Sequence, residues 1–171
     1  VDGHLLSGRH PGGLAVLRWG EPRTTQDVDV TLLTGYGGEE PYVDALLAAF
    51  TPRIPEAREF ALRHRVLLLE SRDGVPIDVA LGAMPFEERA IARASAFEIS
   101  PGAHITTCGC EDLLVLKAFA GRAKDWLDVE GIVARQGGRI DARLVFDELA
   151  PLIELKGSID TRQRLEKLLP R

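Results

Sequence analysis

Asp27 and Asp29 stand two apart in the run Asp27-Val-Asp-Val-Thr-Leu-Leu33. Alternation of polar and apolar residues with period two predicts a strand, with Asp27, Asp29 and Thr31 on one face and Val28, Val30 and Leu32 on the other. Two carboxylates on one face, with roughly 6–7 Å between their Cα atoms, repel each other. A shared proton or a bound divalent cation relieves that repulsion. A ligand set made only of oxygen favours Mg²⁺ or Mn²⁺. A third carboxylate, Asp78, lies between Ile77 and Val79 in the apolar run from Val75 to Leu81, where an isolated charge demands a partner. If that run neighbours the Asp27 strand, all three carboxylates face one site. Upstream, Gly12-Gly13 open a short helical run, so backbone N–H groups can approach a phosphate without a Cβ in the way. A glycine turn, a helix, two aspartates on a strand and a third aspartate later make an arrangement suited to holding a metal and a nucleoside triphosphate.

The same residues allow a plainer reading, in which Asp27 caps an element, Asp29 pairs with an arginine such as Arg23, and Asp78 sits in a turn. Arg23 and Thr25, close to the aspartates, either orient a phosphate or make turn chemistry. Lys117, Arg122 and Lys124 can form a solvated face in which Asp125 and Asp128 pair with Lys124 and Arg122. As an exposed side chain, Lys117 could be replaced with little effect on stability. Cys108 and Cys110, with His104 the only nearby histidine, are too few for a zinc site. The Arg63-His64-Arg65 run reads as a solvated helix end.

Strands and helices must position these residues, and their punctuation is visible. A helix from Leu14 to Trp19 stops at Gly20, Glu21 and Pro22, because glycine suits the position after a helix and proline bars continuation. Helical patterns follow at 42–50 and 56–64. Strands at 65–70 and 75–81 are joined by Ser71-Arg-Asp-Gly74, whose Asp-Gly pair predicts a hairpin. Residues 86–96 read as a helix and 103–107 as a short strand. Beyond that the pattern is helical, at about 111–121, 124–136, 141–154 and 158–169. The shift near residue 100 divides the chain into an α/β core, 1–100, and a helical C-terminal part, 101–171, expected to pack together as one body.

Taken in order, Gly12-Gly13, Pro22-Arg23, Thr25, Asp27-Val28-Asp29 and Asp78 resemble the signature of the DNA polymerase β-like nucleotidyltransferases. Within that superfamily the chain is most similar to the AbiEii-like toxin group. Gly20 to Asp29 match its Gly-x-Pro-Arg-x-Thr-x-Asp-x-Asp wording, and Glu111-Asp112-Leu113, Lys117, Ala120, Arg122, Lys124-Asp125 and Asp128 match a later one. The resemblance covers about residues 12 to 136. It implies a mixed α/β (α+β) fold, with a small mixed sheet flanked by helices and a helical C-terminal part. It also implies transfer of a nucleoside monophosphate from a triphosphate to an acceptor hydroxyl on RNA, tRNA or protein, with release of pyrophosphate. Asp27, Asp29 and Asp78 would be catalytic and bind Mg²⁺ or Mn²⁺. Gly12, Gly13, Arg23, Thr25, Lys117, Arg122 and Lys124 would bind the nucleotide, and an antitoxin protein is the implied partner. Two other classes compete: a degenerate member of the fold that only binds a partner, and another metal-dependent phosphoryl enzyme such as a nuclease. A nuclease needs no triphosphate cradle, so Gly12-Gly13 weigh against it.

The whole-chain figures fit these expectations. At 171 residues, 45% apolar and 27% charged, the chain has enough apolar material for a folded core. Twenty-one basic against 26 acidic residues leave a formal charge of −5, which argues against a protein that coats nucleic acid. Two cysteines one residue apart make no disulfide framework. With neither an apolar span of membrane length nor a signal-peptide pattern, the expected location is the cytoplasm, with no membrane partner.

Overall fold

The computed structural model describes residues 13–21, 27–157 and 159–169. Its elements in chain order are α1 (Gly13–Trp19), β1 (Val28–Leu33), α2 (Glu40–Ala49), β2 (Thr51–Pro52), α3 (Ala57–His64), β3 (Val66–Glu70), β4 (Pro76–Gly82), α4 (Pro85–Ala92), β5 (Ser95–Ser100), β6 (Ala103–Thr107), α5 (Cys110–Ala120), α6 (Ala123–Gln136), α7 (Ala142–Lys156) and α8 (Ile159–Leu168). A 3₁₀ turn at Gly137–Arg139 separates α6 from α7. This is the expected mixed α/β class. Among the described residues, no helix is long and apolar enough to cross a membrane.

The described residues fall into two compact units, 13–14 with 27–107, and 15–21 with 108–169. The first is built on a four-stranded mixed sheet in the order β1-β4-β3-β2. Between β3 and β4 the chain turns at Ser71-Arg-Asp-Gly74, where the Ser71 N–H donates to the Val75 carbonyl and the Gly74 N–H to the Ser71 carbonyl. Gly74 supplies the left-handed φ of 78° that this turn requires. β4 then pairs antiparallel with β3 and parallel with β1. Leu67, Leu69, Val79 and Leu81 alternate inward and, with Val43, Ala57 and Ala61 from α2 and α3, form the core. Val30, Leu32 and Ile77 pack against it. The face opposite that core carries Asp29 and Asp78.

Two strands differ from the sequence expectation. Residues 86–96 are not one helix: α4 ends at Ala92, and Ser95–Ser100 pairs with Ala103–Thr107 across Pro101-Gly102 as a separate two-stranded ribbon. Phe97 and Ile99 at alternate positions suit extended backbone better than the last turns of a helix. β2, only two residues long, carries too little pattern to be predicted. Its Pro52 has no N–H and is tolerated because β2 is an edge strand.

In the second unit, the apolar faces of α5, α6, α7 and α8 bury Leu113, Leu114, Val129, Ile132, Val145, Leu149 and Leu165. The end of α1 is fastened there. The Trp19 indole N–H donates to the Cys108 carbonyl at 3.0 Å. Gln136 and Arg135 donate to the carbonyls of Trp19 and Gly20 at 2.7 and 2.5 Å. A Cβ on Gly20 would lie 3.0 Å from the Ile132 side chain and 3.2 Å from that of Val16, so any other residue here would require those side chains to give way by a few tenths of an ångström.

Candidate functional site

The register of the mixed sheet builds the candidate site. Val28 faces Ile77, Asp29 faces Asp78, and Val30 faces Val79 along the parallel β1–β4 pair. Neighbouring strands run about 4.8 Å apart, and residues in register share a face, so Asp29 and Asp78 stand side by side. Asp27 immediately precedes β1, and the strand's alternation assigns it to the same face as Asp29. All three aspartates are partly buried, as expected of a sheet face that is neither core nor fully open.

The partner that Asp78 demands is Arg53, a residue the sequence did not single out. Just past β2, the Arg53 backbone N–H donates to the Leu68 carbonyl at 3.0 Å. Leu68 is in turn the register partner of Asp78 on β3. From there the Arg53 guanidinium donates to the Asp78 carboxylate and forms an ion pair with it. Arg53, Leu68, Asp78 and Asp29 thus make one row across the sheet. Asp78 is therefore an ion-paired strand residue, not a turn residue.

For a divalent cation, the three aspartates fit in donor chemistry and in sharing a face. Their side chains are not gathered as ligands: among the described residues, no group of three or more His, Cys, Asp or Glu side chains is positioned to hold a metal. Arg53 stands on Asp78 where such an ion would draw it in.

The C-terminal wording matched by Lys117, Arg122, Lys124, Asp125 and Asp128 forms a second constellation, within the helical unit. Here the structure corrects the solvated-face reading. Lys117 is only 4% exposed, and its ammonium lies 2.8 Å from Asp128 and 3.4 Å from Asp125. The helix break at Gly121 (φ 69°) lets Arg122 turn back onto the start of α6, where its Nε donates to Asp125 at 2.6 Å and its backbone N–H at 3.2 Å. Asp125 at the third position of α6 caps that helix. Burial pushes the Asp125 carboxyl up, but the Arg122 hydrogen bond and the charges of Lys117 and Arg122 outweigh it and hold the group below its ordinary value. Lys124 is exposed. Asp125 thus pairs with Arg122, as the charge spacing allows, and both Asp125 and Asp128 take Lys117 as a buried partner.

Gly13 is the first residue of α1. Gly12, Arg23 and Thr25 lie outside the described residues. Burial pushes the thiols of Cys108 and Cys110 up to about 12, so both are protonated at neutral pH.

Arg65 also departs from expectation. It takes the left-handed conformation with φ 56°, ends α3, and turns its guanidinium inward. There it donates to the Leu81 carbonyl at 2.5 Å, to the Gly35 carbonyl at 3.0 Å and to Thr34 Oγ1 at 3.3 Å. It also pairs with Glu39 and stacks on the Tyr36 ring at 4.7 Å. It therefore fixes the loop that leaves β1. A helix-end Arg in a basic run reads as solvated, so nothing in the pattern announces this role.

Comparison with known proteins completes the description. Residues 12–167 match the family described as "Nucleotidyl transferase AbiEii toxin, Type IV TA system". No curated protein sequence matches the chain. Among solved structures, the chain is similar to an antigenic nucleotidyltransferase-like protein from Paracoccidioides brasiliensis. The identity is 16%, the coverage 94% of this chain and 84% of that one, and the TM-score 0.43.

Proposed function

Because the chain belongs to the AbiEii nucleotidyltransferase toxin family, we propose that it transfers the nucleoside monophosphate of a triphosphate such as ATP to a hydroxyl of an RNA, tRNA or protein acceptor, and that an antitoxin protein restrains it. The observation that carries this reading is the register match of Asp29 with Asp78 on a single sheet face. In the reaction, the acceptor oxygen forms a bond to the α-phosphorus while the bond to the bridging oxygen breaks and pyrophosphate leaves. Asp27 and Asp29 are the residues that would hold Mg²⁺ or Mn²⁺, which when bound supplies positive charge to the phosphate oxygens. Asp78 completes the row and takes the acceptor proton. Gly12 and Gly13 approach the phosphates through backbone N–H groups, and Arg23 and Thr25 orient them. Arg122 and Lys124 serve nucleotide or acceptor. Lys117, its ammonium engaged by Asp125 and Asp128, acts by holding those carboxylates in place.

The test is to incubate the protein with each α-labelled nucleoside triphosphate in turn, together with total RNA or cell protein and Mg²⁺. Label should enter one acceptor class and be lost in Asp29→Asn. The ion pair that occupies Asp78 favours a second reading, a non-catalytic fold that binds a partner. Absence of label with all four triphosphates, in a sample that still binds an antitoxin, would select it.

A further inference from the structure

We propose that Arg53 is a positioning residue that latches Asp78, competing with a divalent cation for the carboxylate row and releasing Asp78 when the cation binds. The inference rests on the nucleotidyltransferase reading of that row and adds a means of control to it. Asp29 and Asp78 are register partners, and like charges directly opposite one another destabilise a sheet. A shared proton or a nearby positive charge relieves that repulsion, and where no divalent ion is bound a side chain can bring the charge. Arg53 is built to supply it. Pro52 pairs in register with Leu69 but has no N–H to donate, and the next residue's N–H, that of Arg53, anchors to the Leu68 carbonyl. That anchor sets the guanidinium one strand beyond Leu68, within reach of Asp78. The Arg53 and Asp78 side chains are 29% and 37% exposed, so water reaches both. An ion pair in that setting is weak enough to be exchanged. With the latch closed, no three-carboxylate ligand group exists among the described residues. With it open, Asp78 is free to turn toward its register partner.

Mn²⁺ titration of the full chain, followed by the electron paramagnetic resonance of the free ion, tests this without relying on activity. Arg53→Gln should tighten Mn²⁺ binding on the order of tenfold, the usual scale for removing a competing charge a few ångströms away. Arg53→Lys keeps the charge and should stay near wild type. In an Asp78→Asn background, Arg53→Gln should change nothing. Melting curves confirm that each variant is folded. If binding depends on Asp29 but is unchanged or weaker in Arg53→Gln, the latch is wrong and the carboxylate site stands. The latch is equally wrong if Arg53→Gln tightens binding as much in the Asp78→Asn background, since the effect is then one of general charge. If no variant shows Mn²⁺ binding that Asp29→Asn removes, the carboxylate reading itself fails and the latch falls with it.

Discussion

Lys117 carries its charge inside the helical unit, and burial reverses what its substitution should do. In water an ammonium paired with two carboxylates contributes little, but between Asp125 and Asp128 its removal strands buried charge. Lys117→Met is expected to cost about 3–5 kcal/mol in urea unfolding. A cost below about 1 kcal/mol would mean that water reaches the pair. Asp125 adds a pH dependence of definite sign. Its carboxyl is held below its ordinary value in the folded state, so the folded protein binds fewer protons than the unfolded chain near pH 4. The contribution is complete above the unfolded value of about 3.9 and is lost as pH falls through the lower folded value. Unfolding free energy measured from pH 5 downward should fall more steeply in wild type than in Asp125→Asn, and equal slopes would contradict the assignment.

Among the elements, Arg65 joins the end of α3 to the end of β4 and to the loop after β1. Arg65→Ala leaves the Leu81 and Gly35 carbonyls without this donor and keeps a Cβ in the left-handed region. A loss of about 2–3 kcal/mol is expected. Arg65→Gly should be milder by about 1 kcal/mol, since glycine adopts that φ without a Cβ clash. A glycine variant no more stable than the alanine variant would show that the hydrogen bonds alone set the cost. These contacts also mark where sequence reading stopped. Period-two alternation made β1 legible, apolar runs on either side of the Asp-Gly turn made the β3–β4 hairpin legible, and the shared face of Asp27 and Asp29 followed from pattern alone. That β1 pairs parallel with β4, bringing Asp29 beside Asp78, is a long-range fact that no local pattern encodes. Arg53 was hidden for the same reason: it follows a two-residue strand, and its role depends on two register steps across the sheet. The burial of Lys117 is not legible because helical spacing says which charges are neighbours, not which of them water reaches.

For the molecule as a whole, the prediction concerns what the family does in a cell. Expression of the chain in a bacterium should arrest growth, and Asp29→Asn should relieve the arrest at equal protein level, as judged by colony counts and immunoblot. Growth arrest by both versions would separate toxicity from the carboxylate row. The mixed sheet has one more consequence, for the order in which the protein acquires its site. β3 and β4 meet across a tight turn, a local contact that closes at small entropic cost. β1 joins β4 only after the intervening helices and strands have been bridged, and among the described residues β4 is the one strand it pairs with. Long loops close late and reopen early. The juxtaposition of Asp29 with Asp78 should thus be among the last native features to form, and amide exchange should be faster along β1 than along the inner strands β3 and β4. A chain that has built the β3–β4 hairpin and its helices but not yet docked β1 would be largely folded with Asp29 and Asp78 still apart, so whatever the row does, a newly made chain does it last.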